Sequence, residues 1–265
     1  MNWSVYSYFL FPAILFWLTG GLFALIKTKW NKLAPPLFLL GTLTLLAFAI
    51  GLWISFGRPP MRTMGETRLW YAIYISLVGF FVYKKWAYNW MLSYSAAMAI
   101  VFSSLIFFMP EVQNKNLMPA LQSPWFVPHV SVYIISYALL AAAMLMAVAY
   151  LWRAHKGQIL PKDYTHRTDR MAYAGVGFLM LGLIMGALWA KEVWANYWSW
   201  DPKETWAFAT CSFYLLYIHL RKTYPKLIKL AMILLIIAFI SLLITWKGVN
   251  YLPSARGSMH SYSQT

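Results

Sequence analysis

Of 265 residues, 61% are hydrophobic and only 11% charged, which leaves too little polar surface to clothe a soluble globule of that size. The formal charge of +15 sits in short basic clusters between apolar runs and not along one face, which argues for positive-inside loops and against a nucleic-acid partner. The single cysteine, Cys211, lies inside an apolar run, which excludes an internal disulfide, a CxxC redox pair and a CxxCH attachment site.

Apolar runs long enough to cross a hydrocarbon core of ~30 Å predict eight helices, at about 8 to 27, 35 to 56, 68 to 83, 88 to 108, 129 to 152, 172 to 190, 202 to 221 and 228 to 246. The expected fold class is all-α: a polytopic integral membrane helical bundle of about eight transmembrane helices, forming a single membrane domain over 1–265. The first run lacks a basic n-region and a small-residue cleavage site, so it reads as a retained helix. Fourteen Lys and Arg fall on the side holding the carboxyl-terminal ends of helices one, three, five and seven, against eight on the other. Both termini are therefore expected on the exported side.

Between the second and third helices, RPPMRTMGETRLWY holds Arg58, Arg62 and Arg68. Guanidinium groups there suit carboxylates through bidentate hydrogen bonds, and suit lipid headgroups equally. Glu66, three residues after Thr63, has the capping-box spacing for the third helix. His129 follows Pro128 at the outer start of the fifth helix. His155 and His166 sit among Lys, Arg and Asp in an inside loop and read as solvated side chains. Gly175, Gly177, Gly182 and Gly186 in the sixth helix are tolerated where neighbouring helices approach closely.

Residues 191–206 are expected to form an exported loop whose segment Trp194 to Trp206 reads WANYWSWDPKETW, with Trp189 just before it. One tryptophan would be an ordinary membrane-interface residue. The density of Trp194, Trp198, Trp200 and Trp206 instead makes a broad apolar platform with polar edges, suited to a flat ligand such as a porphyrin. Asp201, Pro202 and Glu204 spell the N-cap, N1 and N3 of a capping box opening the seventh helix, so Asp201 is first a cap, and the rigid helix start sets the angle of the platform. A porphyrin iron needs axial ligands, usually neutral imidazole. His129, and His260 in an exported tail over 247–265, lie on either side of the tryptophan segment and are the candidate metal ligands. His219 lies ~20 Å along the seventh helix from its outer end. Thr205, Ser212 and His219 recur every seven residues, a weakly polar stripe expected to face the bundle. Two readings stand for His219: a ring snorkelling toward Arg221 and Lys222, or a functional intramembrane group.

At these residues the chain resembles the haem-handling family of cytochrome c biogenesis, whose signature is a tryptophan-rich exported loop ending in WDPKETW. WSWDPKETW at Trp198 to Trp206 is a close match, and the likeness is nearest to the CcsA type. It runs from about Gly65 onward through ETRLWY, a histidine opening a helix, YIHLR, and GVNYLPS followed by HSY. The resemblance implies that His129 and His260 are two exported axial ligands of haem b, held non-covalently as a substrate, and that His219 matches a membrane-buried histidine associated with haem passage. Trp194, Trp198, Trp200, Asp201 and Trp206, with Arg58 and Arg62 toward the propionates, complete the expected haem-binding set. It further implies a subunit of a cytochrome c haem lyase in the bacterial inner membrane, completed by a second membrane subunit and presenting haem on the periplasmic face to the CxxCH thiols of apocytochrome c. The rival expectations are a non-enzymatic haem chaperone of the CcmC type and a lipid or polyisoprenoid transporter.

Overall fold

The fold comes from a computed structural model that describes residues 1–26, 29–61, 63–86, 88–110, 123–161, 163–246, 248–253 and 258–259. Eight α-helices lie among the described residues: α1 Tyr6–Leu25, α2 Ala34–Phe56, α3 Met64–Trp86, α4 Asn89–Phe108, α5 Phe126–His155, α6 Tyr164–Trp194, α7 Pro202–Thr223 and α8 Ile228–Trp246. Each answers to one predicted from the apolar runs. Six of them, all but α3 and α7, are long and apolar enough to cross a membrane. The other two match them in length but carry more charge, with Glu66, Lys84 and Lys85 in α3 and Glu204, Arg221 and Lys222 in α7. The chain is an all-helical, polytopic membrane bundle.

Helices α3 and α6 begin at Met64 and Tyr164, well before hydropathy places them. The start of α3 at Met64 is set by a capping box in which the Thr63 amide donates to Glu66 Oε2 at 3.3 Å and the Glu66 amide to Thr63 Oγ1 at 3.1 Å. The start of α6 at Tyr164 runs through a charged segment, because Asp169 on it is buried and neutralised. Arg221 of α7 grips that carboxylate with Nε and Nη2 at 2.8 and 2.6 Å, and the Tyr217 hydroxyl donates to it at 2.5 Å. A paired and hydrogen-bonded charge is tolerated in an apolar interior. Hydropathy summed along one segment cannot foresee a partner on another.

The chain folds as two compact units, Met1–Gln122 and Ser123–Thr265. In the first, α1 packs on α2 and α4, and α3 on α4 and α2. Gly20 lets the backbones of α1 and α2 close, since a Cβ there would lie 2.8 Å from the Phe38 amide nitrogen. Polar atoms inside this unit are satisfied across helices: the Trp17 indole donates to Thr42 Oγ1 at 3.2 Å and the Tyr6 hydroxyl to the Ser103 carbonyl at 2.9 Å. In the second unit α5 lies against α6 and α8, and α7 against α8. The predicted close approach at the α6 glycines holds where α5 crosses them, for a Cβ on Gly175 would meet Leu140 Cδ2 at 2.6 Å. Gly177 differs, and faces open space.

Candidate functional site

The turn between α6 and α7 is tighter than the predicted loop over 191–206. Helix α6 continues to Trp194 and is closed by Ala195 in the left-handed region, φ 63°, with the Lys191 ammonium donating to the Ala195 carbonyl at 2.8 Å. Only residues 195–201 lie outside helices, so Trp194 is the last residue of α6 and Trp206 belongs to the start of α7. Helix propagation continues until a cap stops it, and the fall in hydropathy comes sooner.

Trp200 also has a left-handed backbone, φ 59°, which costs a bulky L-residue about 1–2 kcal/mol. The residue is 63% exposed, and its ring meets Trp198 and Phe208 edge-on, each at 5.8 Å between centroids. The Trp198 indole N–H is buried without an acceptor among the described residues. Directly after Trp200 comes the predicted capping box. Asp201 Oδ1 accepts from the Lys203 amide at 3.1 Å, while Glu204 Oε2 accepts from the Asp201 amide at 3.2 Å and the Ser199 amide at 2.8 Å. Both carboxylates are buried, so the loop is pinned to the helix start by charge-assisted bonds.

A second aromatic group surrounds His129 in the first turns of α5. Its Nδ1 lies 2.8 Å from the Gly182 carbonyl, and since a carbonyl only accepts, the neutral ring carries its proton on Nδ1 and its lone pair on Nε2. The ring stacks on Trp189 at 5.8 Å and 17°, and meets Tyr133 edge-on at 4.5 Å. Trp189 in turn packs edge-on against Trp194 at 4.8 Å. The imidazole reaches this position only because α6 has glycine beneath it: a Cβ on Gly186 would lie 2.7 Å from His129 Cε1. The parts played by Gly182, Gly186 and Trp189 were not read from the sequence. Two glycines one helical turn apart are the trace they leave in it.

The structure thus brings His129, Trp189 and Trp194 together, and groups Trp198 and Trp200 with Asp201. Trp206 is half-buried in the first turn of α7. His260 and Arg62 lie outside the described residues. Arg58, expected toward the propionates, donates through both terminal nitrogens to Glu66 at 3.0 and 3.1 Å. The polar stripe on α7 differs from the expectation. Thr205, Ser212 and His219 do share a face, but it is exposed and does not face the other helices of the second unit. The buried face belongs to Thr210, Cys211, Tyr214 and Tyr217, with Thr210 Oγ1 2.9 Å from the hydroxyls of Ser241 and Thr245 on α8. His155 and His166 are exposed, as expected of solvated side chains.

The family model described as Cytochrome C assembly protein matches residues 7–255. The chain belongs to that family. Within the cytochrome c assembly family, the cytochrome c biogenesis protein CcsA of Chlamydomonas reinhardtii is 30% identical over 261 residues, covering 92% of this chain and 73% of that protein. CcsA of Prochlorococcus marinus subsp. pastoris is 30% identical over 288 residues, covering 96% and 90%. Among solved structures, cytochrome c haem lyase CcmF has a similar fold, with TM-score 0.68 at 18% identity over 97% of this chain. This chain spans 49% of that one, about half its length.

Proposed function

We propose that this member of the cytochrome c assembly family holds haem b non-covalently, as a substrate, and presents it for attachment to the CxxCH thiols of apocytochrome c as a subunit of a cytochrome c synthase. The observation that carries this reading is the His129 imidazole, whose Nδ1–H is held by the Gly182 carbonyl at 2.8 Å. A ligating histidine characteristically donates its other ring N–H to a carbonyl, which fixes the tautomer and raises the basicity of the ligating nitrogen. His129 is one axial ligand and His260 the second, while Trp194, Trp198, Trp200 and Trp206 supply the aromatic surface for the porphyrin. His219 serves haem passage. The site stands on the periplasmic face of the bacterial inner membrane with both termini exported, and a second membrane subunit completes the synthase.

In the attachment reaction a cysteine S–H adds across a haem vinyl group. Sulfur bonds to the inner vinyl carbon, the proton goes to the terminal carbon, and no electrons leave the pair of reactants. The chain therefore has only to hold the vinyl groups in register with the thiols, a task suited to the ring-stacked, hydrogen-bonded imidazole of His129 on α5. The test is the absorption spectrum of the protein purified with and without its partner subunit. Low-spin haem bound by two histidines is expected, with His129→Ala lowering its occupancy or shifting its bands. A colourless wild-type protein would favour a lipid carrier, and haem binding without thioether formation beside partner and apocytochrome would favour a chaperone.

A further inference from the structure

The N-cap of α7 does more than cap. Capping requires one side-chain oxygen, and serine, threonine or asparagine supplies it as well as aspartate does. Asp201 uses both. Oδ1 accepts from the Lys203 amide at 3.1 Å and from the Ser258 hydroxyl at 2.9 Å, and Oδ2 accepts from the Met259 amide at 2.9 Å. Ser258 and Met259 lie 57 and 58 residues further along the chain, in the C-terminal tail. Asp201 is only 7% exposed, so these bonds to a charged acceptor are shielded from competing water.

We infer that Asp201 is a positioning residue that fastens the C-terminal tail to the start of α7, beside the tryptophan loop. The capping box fixes the carboxylate through the helix, Glu204 fixes the loop through Ser199, and the second carboxylate oxygen fixes the tail. Met259 directly precedes His260 in the sequence. The consequence for haem rests on the proposed function, in which His260 is a ligand; the fastening of Met259 does not. Asparagine or serine would cap α7 with its one acceptor oxygen at the Oδ1 position and would leave no acceptor at the Oδ2 position, to which the Met259 amide donates.

The experiment is hydrogen exchange at the Met259 amide in haem-free full-length protein, comparing wild type with Asp201→Asn, Asp201→Ser and Asp201→Ala. Wild type is expected to protect that amide. Asp201→Asn and Asp201→Ser should speed its exchange about tenfold or more while the first turn of α7 keeps its protection, and Asp201→Ala should expose both. A Met259 amide that exchanges equally fast in wild type and Asp201→Asn overturns the inference, as does loss of Met259 protection only when α7 itself frays. The visible spectrum, recorded separately on haem-loaded samples, distinguishes the two proposals. A Met259 amide protected in wild type and released in Asp201→Asn, with an unchanged spectrum, would leave the fastening standing and count against His260 as a ligand.

Discussion

At the scale of single residues, the His129 site depends on what is missing from its neighbour. Gly186 leaves room for the imidazole, so Gly186→Ala forces a methyl to within 2.7 Å of Cε1 and must displace either the ring or α6. Overpacking of this kind costs about 1–3 kcal/mol. The expected outcome is lower haem occupancy at matched protein level, while Gly177→Ala, which meets only open space, leaves occupancy unchanged. Equal occupancy in both variants would remove His129 from the site. Trp200 presents the reverse case, a large side chain held where glycine would be easier. Trp200→Gly relieves left-handed strain of about 1–2 kcal/mol and loses two edge contacts worth about 0.5–1.5 kcal/mol each, so thermal stability should change by less than ~2 kcal/mol. If the exposed ring serves the proposed haem and not the fold, haem retention should nonetheless fall about fivefold or more, measured by haem loss to an apo-haemoprotein acceptor.

At the scale of elements, α6 and α7 are joined by the buried Asp169–Arg221 pair, whose side chains are 8% and 9% exposed. Asp169→Ala leaves a buried guanidinium without its carboxylate and should destabilise by about 3–5 kcal/mol, seen as a lower unfolding midpoint in detergent. The double variant Asp169→Leu with Arg221→Met should recover most of that loss, because a well-packed apolar pair has no desolvation penalty to offset. His219, two residues before Arg221 on the same helix, behaves differently because it is exposed. His219→Ala should leave stability within about 0.5 kcal/mol of wild type. If His219 serves passage, haem reaching the outer site should drop while the spectrum of the remainder keeps its shape, and free imidazole should partly restore the amount. Unchanged haem content at wild-type abundance would assign His219 to snorkelling.

At the scale of the whole molecule, charge places the helices in the bilayer. Alkaline phosphatase fused after Thr265 should be active in the exported compartment, and the same enzyme inserted between α7 and α8, beside Lys226, should be inactive. The opposite pattern would invert the topology and put the tryptophan loop on the cytoplasmic side.

The number and order of the helices among the described residues, and both capping boxes, were legible in the sequence by itself because each rests on local facts. Run length decides whether a segment spans, and Thr63 with Glu66, like Asp201 with Glu204, are partners three residues apart whose spacing is their geometry. The WSWDPKETW segment was legible for the same reason, being contiguous. Tertiary structure alone decided which nitrogen of His129 carries the proton, since the Gly182 carbonyl that settles it lies 53 residues away. It decided that Asp169 would be buried against Arg221, 52 residues off, and that α7 would turn Tyr214 and Tyr217 inward and leave His219 outside. It also gave Arg58 to Glu66 as a bidentate partner. These outcomes follow from which helix faces pack together, and a pairing across two helices leaves no periodic mark on either.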